Sequence, residues 1–225
     1  MKTIKSAIIT GVVFLGLTSI LSAASLNGVY LEVGTSAIGV EADGNHTDTG
    51  SNSTTVGSVG KTAVTASYGL GYMTPKSNKL GLDVGYMLTP GEAKISATSD
   101  SNSTTTGSDV TFEISDTTEY YIAPMINITE DASLYLKYGV NSSDIKVTGD
   151  VTKPTSMDGT TFALGTVMSW GSNIYIRTEA GMTEYDSLTV TGLGEDATNS
   201  GVGTDQSVKA DNKVNYGKIA IGYKF

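Results

Sequence analysis

The chain of 225 residues contains no cysteine, four prolines, one histidine and one tryptophan, and its 14 Lys and Arg are outnumbered by 23 Asp and Glu. Without cysteine an exported form has no disulfide staple, so stability has to come from the fold itself. The acidic balance, a net charge of −9, argues against a nucleic-acid partner, whose phosphates demand Lys and Arg. Long runs of helix-forming Leu, Ala, Glu and Lys are missing. After residue 24, no apolar stretch is long enough for a membrane-spanning helix. What is abundant is Gly, at 27 residues, and Tyr, at 12, together with Ser, Thr, Asn and Asp. That mixture predicts an all-β protein with polar loops.

The amino-terminal segment reads as a separate object. Met1-Lys-Thr-Ile-Lys5 is basic, Ala7 to Leu21 is apolar, and Ser22-Ala-Ala24 is a small-residue cleavage site. A retained anchor would need a flanking charge to stop transfer, and small residues follow instead. Residues 1–24 are therefore expected to be a secretory signal peptide cut between Ala24 and Ser25, leaving 25–225 as one domain. Losing Lys2 and Lys5 moves the net charge from −9 to −11.

Period-two alternation runs through that domain. Val29, Leu31 and Val33 alternate with Tyr30, Glu32 and Gly34; Leu80, Leu82, Val84, Tyr86 and Leu88 alternate with Gly81, Asp83, Gly85 and Met87. Similar patterns cover Val64–Tyr72, Leu134–Val140, Phe162–Met168 and Ile174–Ile176. Around Glu119-Tyr-Tyr-Ile122 the parity is less clean, because Tyr120 and Tyr121 are both large. In the closing stretch, Ile219, Ile221, Tyr223 and Phe225 share one parity. This makes about eight strands of the roughly 9–11 residues that a tilted membrane-crossing strand needs.

Connections add a second signal. Thr74–Asn78, Asn127–Asp131 and Ser169–Asn173 are short turns, whereas Ala42–Gly60, Thr98–Asp109, Gly149–Asp158 and Ser187–Asn212 are long and polar. The alternation of long and short is that of an up-and-down transmembrane barrel with short periplasmic turns and four longer extracellular loops. A soluble barrel would also alternate, so the polar face decides. It holds Gly, Ser and Ala with charges of both signs: Glu32, Asp83, Glu119 and Glu179 against Lys137, Arg177 and Lys218, with Lys224 near the rim. Small residues and paired charges suit the interior of an eight-strand barrel, which side chains just fill. The final strand is expected to pair with the first, so that no edge is left in lipid. Tyr223 and Phe225 would then lie in the periplasmic aromatic girdle, with Ile219 and Ile221 in the hydrocarbon.

On these residues the chain resembles the small Gram-negative outer-membrane barrels of the outer membrane protein A and X type. Alternating apolar residues ending in Tyr-x-Phe look like the assembly signal read by the barrel-insertion machinery, here Ile219, Ile221, Tyr223 and Phe225. "EYYIAPMINITEDASLYLKYGVN" resembles the fourth and fifth strands of such barrels. "TFALGTVMSWGSNIYIRTEAGM" resembles the sixth and seventh, with an inward Arg-x-Glu pair that here is Arg177 and Glu179. No peptidoglycan-binding domain follows, so the resemblance implies a barrel-only member, monomeric, in contact with outer-membrane lipid and lipopolysaccharide.

Other motifs are weaker. Gly192-Leu-Gly-Glu-Asp-Ala197 spells a dinucleotide fingerprint, but no helix follows and two acids would repel phosphate. His46 could serve lipid A chemistry only with a nucleophile and an orienting acid, and its Asp-Gly-Asn-His-Thr-Asp context reads as a solvated loop. Asp43, Asp48, Asp100, Asp196 and Asp205 lack the fixed alternate spacing of a calcium loop. The Asn-x-Ser/Thr triplets at Asn45, Asn52, Asn102, Asn127 and Asn141 are those expected by chance in a chain rich in Ser and Thr. The lumen carboxylates could form an acid–base pair, yet a near-neutral set of buried charges reads better as structural ion pairs. The expectation is a non-enzymatic outer-membrane barrel without cofactor or metal, its lumen plugged and its loops serving envelope integrity, adhesion or an external partner. Alternatives are a narrow pore, a lipid A-modifying enzyme using His46, and a soluble periplasmic barrel that binds apolar ligands.

Overall fold

The alternating segments become nine strands in the computed structural model, which describes residues 27–48, 53–74, 79–97, 110–148, 152, 154–191 and 206–225. They are β1 (Gly28–Asp48), β2 (Ser53–Met73), β3 (Leu80–Ala97), β4 (Val110–Asn127), β5 (Ala132–Thr148), β6 (Ser156–Trp170), β7 (Ile174–Tyr185), β8 (Leu188–Thr191) and β9 (Gln206–Lys224). Each pairs antiparallel with its neighbour, and β9 pairs with β1, so the sheet closes. β7 and β8 are consecutive pieces of one stave, because both pair with β9. The barrel therefore has eight staves. Closure leaves no continuous sheet edge around the ring, the condition for a β-structure to survive in lipid.

Side chains follow the pleat. In β5 every second residue from Ser133 to Val147 is buried, and the residues between them face outward. The outward set is apolar over the middle of the barrel: Leu31, Leu136, Leu164, Ile219 and Ile221 are all 48–62 % exposed. A continuous apolar belt of this kind suits hydrocarbon and would be costly in water. Aromatic residues border it. Trp170, Tyr223 and Phe225 lie at the end of the short turns, and Tyr86–Tyr120 and Tyr138–Phe162 pack as ring pairs on the other side. The ambiguous parity at Tyr120 and Tyr121 resolves by facing: Tyr121 is buried inside and Tyr120 packs outside on Tyr86.

The long connections differ from their sequence reading. Of Ala42–Gly60, only residues 49–52 fall outside the two strands, since β1 runs to Asp48 and β2 begins at Ser53. His46 is thus a strand residue, opposite Thr55 on β2 and Val208 on β9, and not a loop residue. Likewise β6 begins at Ser156, and Ser187–Asn212 contains β8 and the first residues of β9. Polarity reports where a segment is solvated. Here Thr and Val among the polar residues, with a ladder available on both sides of β1, make extended backbone the better choice. Thr98–Asp109, Gly192–Ala197, Asp205, Asn52, residues 75–78 and the signal segment with Ala24 and Ser25 lie outside the described residues.

One joint in the wall is unlike the others. β1 and β2 pair along 21 residues, but β2 and β3 pair only from Met73–Asp83 to Tyr68–Leu88. Beyond that point β3 carries Pro90, which has no N–H to give a ladder, and Gly91 at φ +129°. A register shift opposite Asp116, itself at φ +42°, continues the irregularity into β4. The result is an unpaired seam between the outer parts of β2 and β3.

Candidate functional site

The lumen is built from the inward parity of these staves, and its lower half is crowded with tyrosine. Tyr30, Tyr135 and Tyr175 are fully buried and Tyr121 nearly so, packed with Met73, Met87 and Met125. Rings of this size fit because each faces a glycine across the ladder: Tyr30 opposite Gly71, Tyr121 opposite Gly85, Tyr135 opposite Gly165, Tyr175 opposite Gly222. A Cβ on any of those glycines would run into the ring. The hydroxyls of Tyr30 and Tyr121 touch each other, and Tyr30 donates to Asp83 at 2.9 Å.

Above that layer the charges meet. Arg177 on β7 bridges two carboxylates. Its Nε lies 2.7 Å from Glu32 Oε2 on β1, and its Nη2 donates to Asp83 Oδ2 on β3 at 2.8 Å. The first contact is an ion pair by distance only, because the N–H is not aligned for a hydrogen bond and Nη1 has no hydrogen-bond partner. The rings of Tyr135, Tyr30 and Tyr175 surround the guanidinium at 5.1–5.8 Å, a cation–π enclosure. Lys218 on β9 donates to Glu32 at 3.1 Å. Lys137 on β5 donates to Glu179 at 2.5 Å and to Glu119 at 3.1 Å. Glu179 also accepts from Tyr135 at 2.6 Å and Tyr216 at 2.5 Å, and Glu32 accepts from Tyr175 at 2.9 Å. All seven inward charges are buried, Arg177 completely.

The partners are therefore tied into one network that spans six staves, with each cation shared between two carboxylates, Lys218 reaching Glu179 as well at 4.0 Å. Glu119 is the least served. Its Oε2 accepts from Lys137, while its buried Oε1 lies over Gly139 with no hydrogen-bond partner. Lys224, also buried on the inward parity, sits six residues below Lys218 on β9, about 20 Å along the strand.

Over the network lies a cavity of about 100 Å³. Glu119, Lys137, Glu179 and Lys218 are its floor, and Ile38, Val40, Ile114 and Val214 its walls. The same apolar walls continue upward into a collar with Ala42, Ile145 and Met157. Sideways, the lining reaches Thr65 on β2 and Thr89 and Gly91 on β3, the two lips of the unpaired seam. Thr65 Oγ1 is buried there without a partner.

The four residues of the C-terminal sequence motif face outward: Ile219, Ile221, Tyr223 and Phe225 are 48–68 % exposed. Phe225 donates its N–H to Val29 O at 3.0 Å, and its ring packs edge-on against Tyr223 at 5.2 Å. Among the described residues, no group of three or more His, Cys, Asp or Glu side chains is placed to hold a metal ion. The sequence reading named the lumen charges but not Tyr30, Tyr121 or Tyr216 as their partners. The signal for them was the run of inward glycines, which becomes informative only once the register shows what each glycine faces.

No protein-family model matches the chain, and no curated protein matches it. Solved structures do. The outer membrane protein OprG of Pseudomonas aeruginosa superposes with a TM-score of 0.56 at 14 % identity, over 91 % of this chain and 99 % of that one. Ail, the attachment invasion locus protein of Yersinia pestis, solved with the heparin analogue sucrose octasulfate, gives 0.43 at 14 % identity, over 85 % and 99 %. The outer membrane protease OmpT of Escherichia coli gives 0.43 at 9 % identity, over 92 % and 100 %. The likeness to OprG, taken with the closed ring of eight staves, shows that the chain has the up-and-down barrel fold of Gram-negative outer-membrane proteins.

Proposed function

We propose that the protein is a non-enzymatic barrel of the bacterial outer membrane that is closed to flow from face to face and keeps its outer half as a cavity for small molecules. One observation carries this reading: a layer of tyrosine rings and mutually paired charges fills the lower lumen, while the space directly above it stays open toward the β2–β3 seam. An eight-stave barrel has room for side chains or one small ligand, whereas a water-filled channel takes about sixteen strands. The folded protein in planar bilayers should show no steady conductance. Large, stable, ohmic channels from the monomer would overturn the plug and favour a pore.

A second reading concerns contact with outside partners. β9, β1 and β2 stay paired to Asp48–Gln206 and Asp48–Ser53, well past the apolar belt. The three strands stand out as a sheet beyond the rim, and with the outer loops they form the surface for adhesion or envelope contacts. Lipopolysaccharide is the natural neighbour of the belt. Export is proposed to remove residues 1–24, and intact mass should then begin at Ser25. Ile219, Ile221, Tyr223 and Phe225 are proposed to guide insertion by the barrel-assembly machinery. Phe225→Asp should then lower heat-modifiable protein in the outer membrane several-fold, and unchanged amounts would remove the role.

A further inference from the structure

We infer that the cavity above the plug is a site for a small amphiphilic cation, an amine with an apolar body of about four carbons, held by Glu119. This rests on the cavity reading proposed above and specifies its ligand class. The lumen network sets four carboxylates, Glu32, Asp83, Glu119 and Glu179, against three cations, Lys137, Arg177 and Lys218. Lys224 is too far down β9 to balance the upper end. The deficit falls on Glu119, because Glu32 has two cations, Asp83 has Arg177 and two tyrosine hydroxyls, and Glu179 has Lys137, Lys218 at 4.0 Å and two tyrosine hydroxyls. Glu119 shares its one cation with Glu179 and leaves an oxygen without a donor.

A buried acceptor of this kind is costly until a donor reaches it, and most of all when it is charged. Glu119 is also on the cavity floor, under walls of Ile38, Val40, Ile114 and Val214. An ammonium head supplies both the missing charge and the missing hydrogen bond, once the carboxylate turns about its last side-chain torsion. The alkyl body supplies contact with the walls. Size limits the body: a dry cavity of about 150 Å³ accepts benzene, and this one holds about 100 Å³. Anionic molecules would bring a further negative charge against Glu119, while Lys137 and Lys218 on the same floor are already paired to carboxylates. Neutral alcohols of equal size would gain the walls without the charge.

The test compares n-butylamine with 1-butanol on the folded barrel in an uncharged maltoside detergent at pH 7, by saturation-transfer NMR, with empty micelles as baseline. The wild type should hold butylamine at least tenfold more tightly than butanol. Glu119→Gln, which keeps an oxygen for Lys137, should lose that preference while butanol binding stays within about twofold, and Glu119→Asp should retain it. Ile114→Trp should fill the cavity and abolish both. If neither probe binds the wild type, the cavity reading itself fails. If both bind the wild type equally, or Glu119→Gln keeps the preference, the cavity stands and the amine site falls. The wild-type comparison decides even if Glu119→Gln does not fold.

Discussion

Below Lys137 the lumen is filled: tyrosine rings lie on glycines, Arg177 is enclosed by three of those rings, and carboxylates from β1, β3 and β7 converge on shared cations. Above it the same staves carry Ile38, Val40, Ile114 and Val214 around an open space, and one joint of the wall lacks its ladder. The two halves use the same alternation and differ in what the inward positions hold. Large polar side chains facing glycine make a solid. Medium apolar side chains facing one another leave a gap that only a ligand or water can occupy. A filled lower half and an open upper half thus follow from side-chain volume on a common backbone.

The comparison breaks first, if it breaks, at Arg177. Arg177→Ala leaves Glu32 with Lys218 as its one cation beside the Tyr175 hydroxyl, and Asp83 with only hydroxyl partners, all in a buried layer. Losing one member of a buried ion network typically costs about 3–5 kcal/mol. Thermal unfolding in detergent, followed by circular dichroism, should drop further for this variant than for any single change in the upper half. An equal or larger drop from Val40→Ala would mean that the lower layer is not the stabilising one.

Ile114→Ala is the matching change above. It removes a side chain that is buried but borders existing space, so its cost should fall near the lower end of the usual range, about 2 kcal/mol. A loss of 5 kcal/mol in urea unfolding would show the cavity walls to be as tightly packed as the tyrosine layer. Glycines sharpen the contrast further. A Cβ at Gly222 meets the Tyr175 ring, whereas one at Gly57, on the outer part of β2, meets nothing. Gly222→Ala should destabilise by about 1–3 kcal/mol through overpacking, and Gly57→Ala should be neutral or slightly stabilising. Equal effects in the same unfolding assay would contradict a packed lower lumen.

The smallest effect should come from the seam. Amides on β2 between Lys61 and Ser67 that point toward β1 are in a ladder, and their alternate neighbours point toward unpaired β3. Hydrogen exchange followed by NMR should therefore be slow and fast at alternate residues there, and uniformly slow from Tyr68 to Tyr72. Uniform protection through Ala63–Ser67 would mean that β2 and β3 pair in solution.

Much of the architecture was legible without coordinates. Alternation marked the strands and gave the faces within each alternating stretch, so the inward charges Glu32, Asp83, Glu119, Lys137, Arg177, Glu179 and Lys218 could be named together. Strand ends were not legible, since the Ala42–Gly60 segment is polar in composition yet mostly extended, and His46 moved from loop to strand with it. The partners of Arg177 were not legible either: it bridges Glu32 and Asp83, on two other staves.

What the sequence determined by itself is the face of each residue within an unbroken stretch of alternation, because the pleat has a period of two and needs no partner to impose it. Across the irregularity at Asp116 the parity switches, so that Ile114 and Glu119 both face inward. What only the tertiary structure decided is who meets whom. Arg177 reaches Asp83 across 94 positions and Lys218 reaches Glu32 across 186. Those meetings depend on the register of every stave at once, which closing β9 onto β1 sets for the whole ring. The seam and the cavity likewise belong to the closed ring. Pro90 and Gly91 are visible in the sequence, but the end of the β2–β3 ladder beside them, and the space over Glu119 that reaches it, exist only when eight staves close around them.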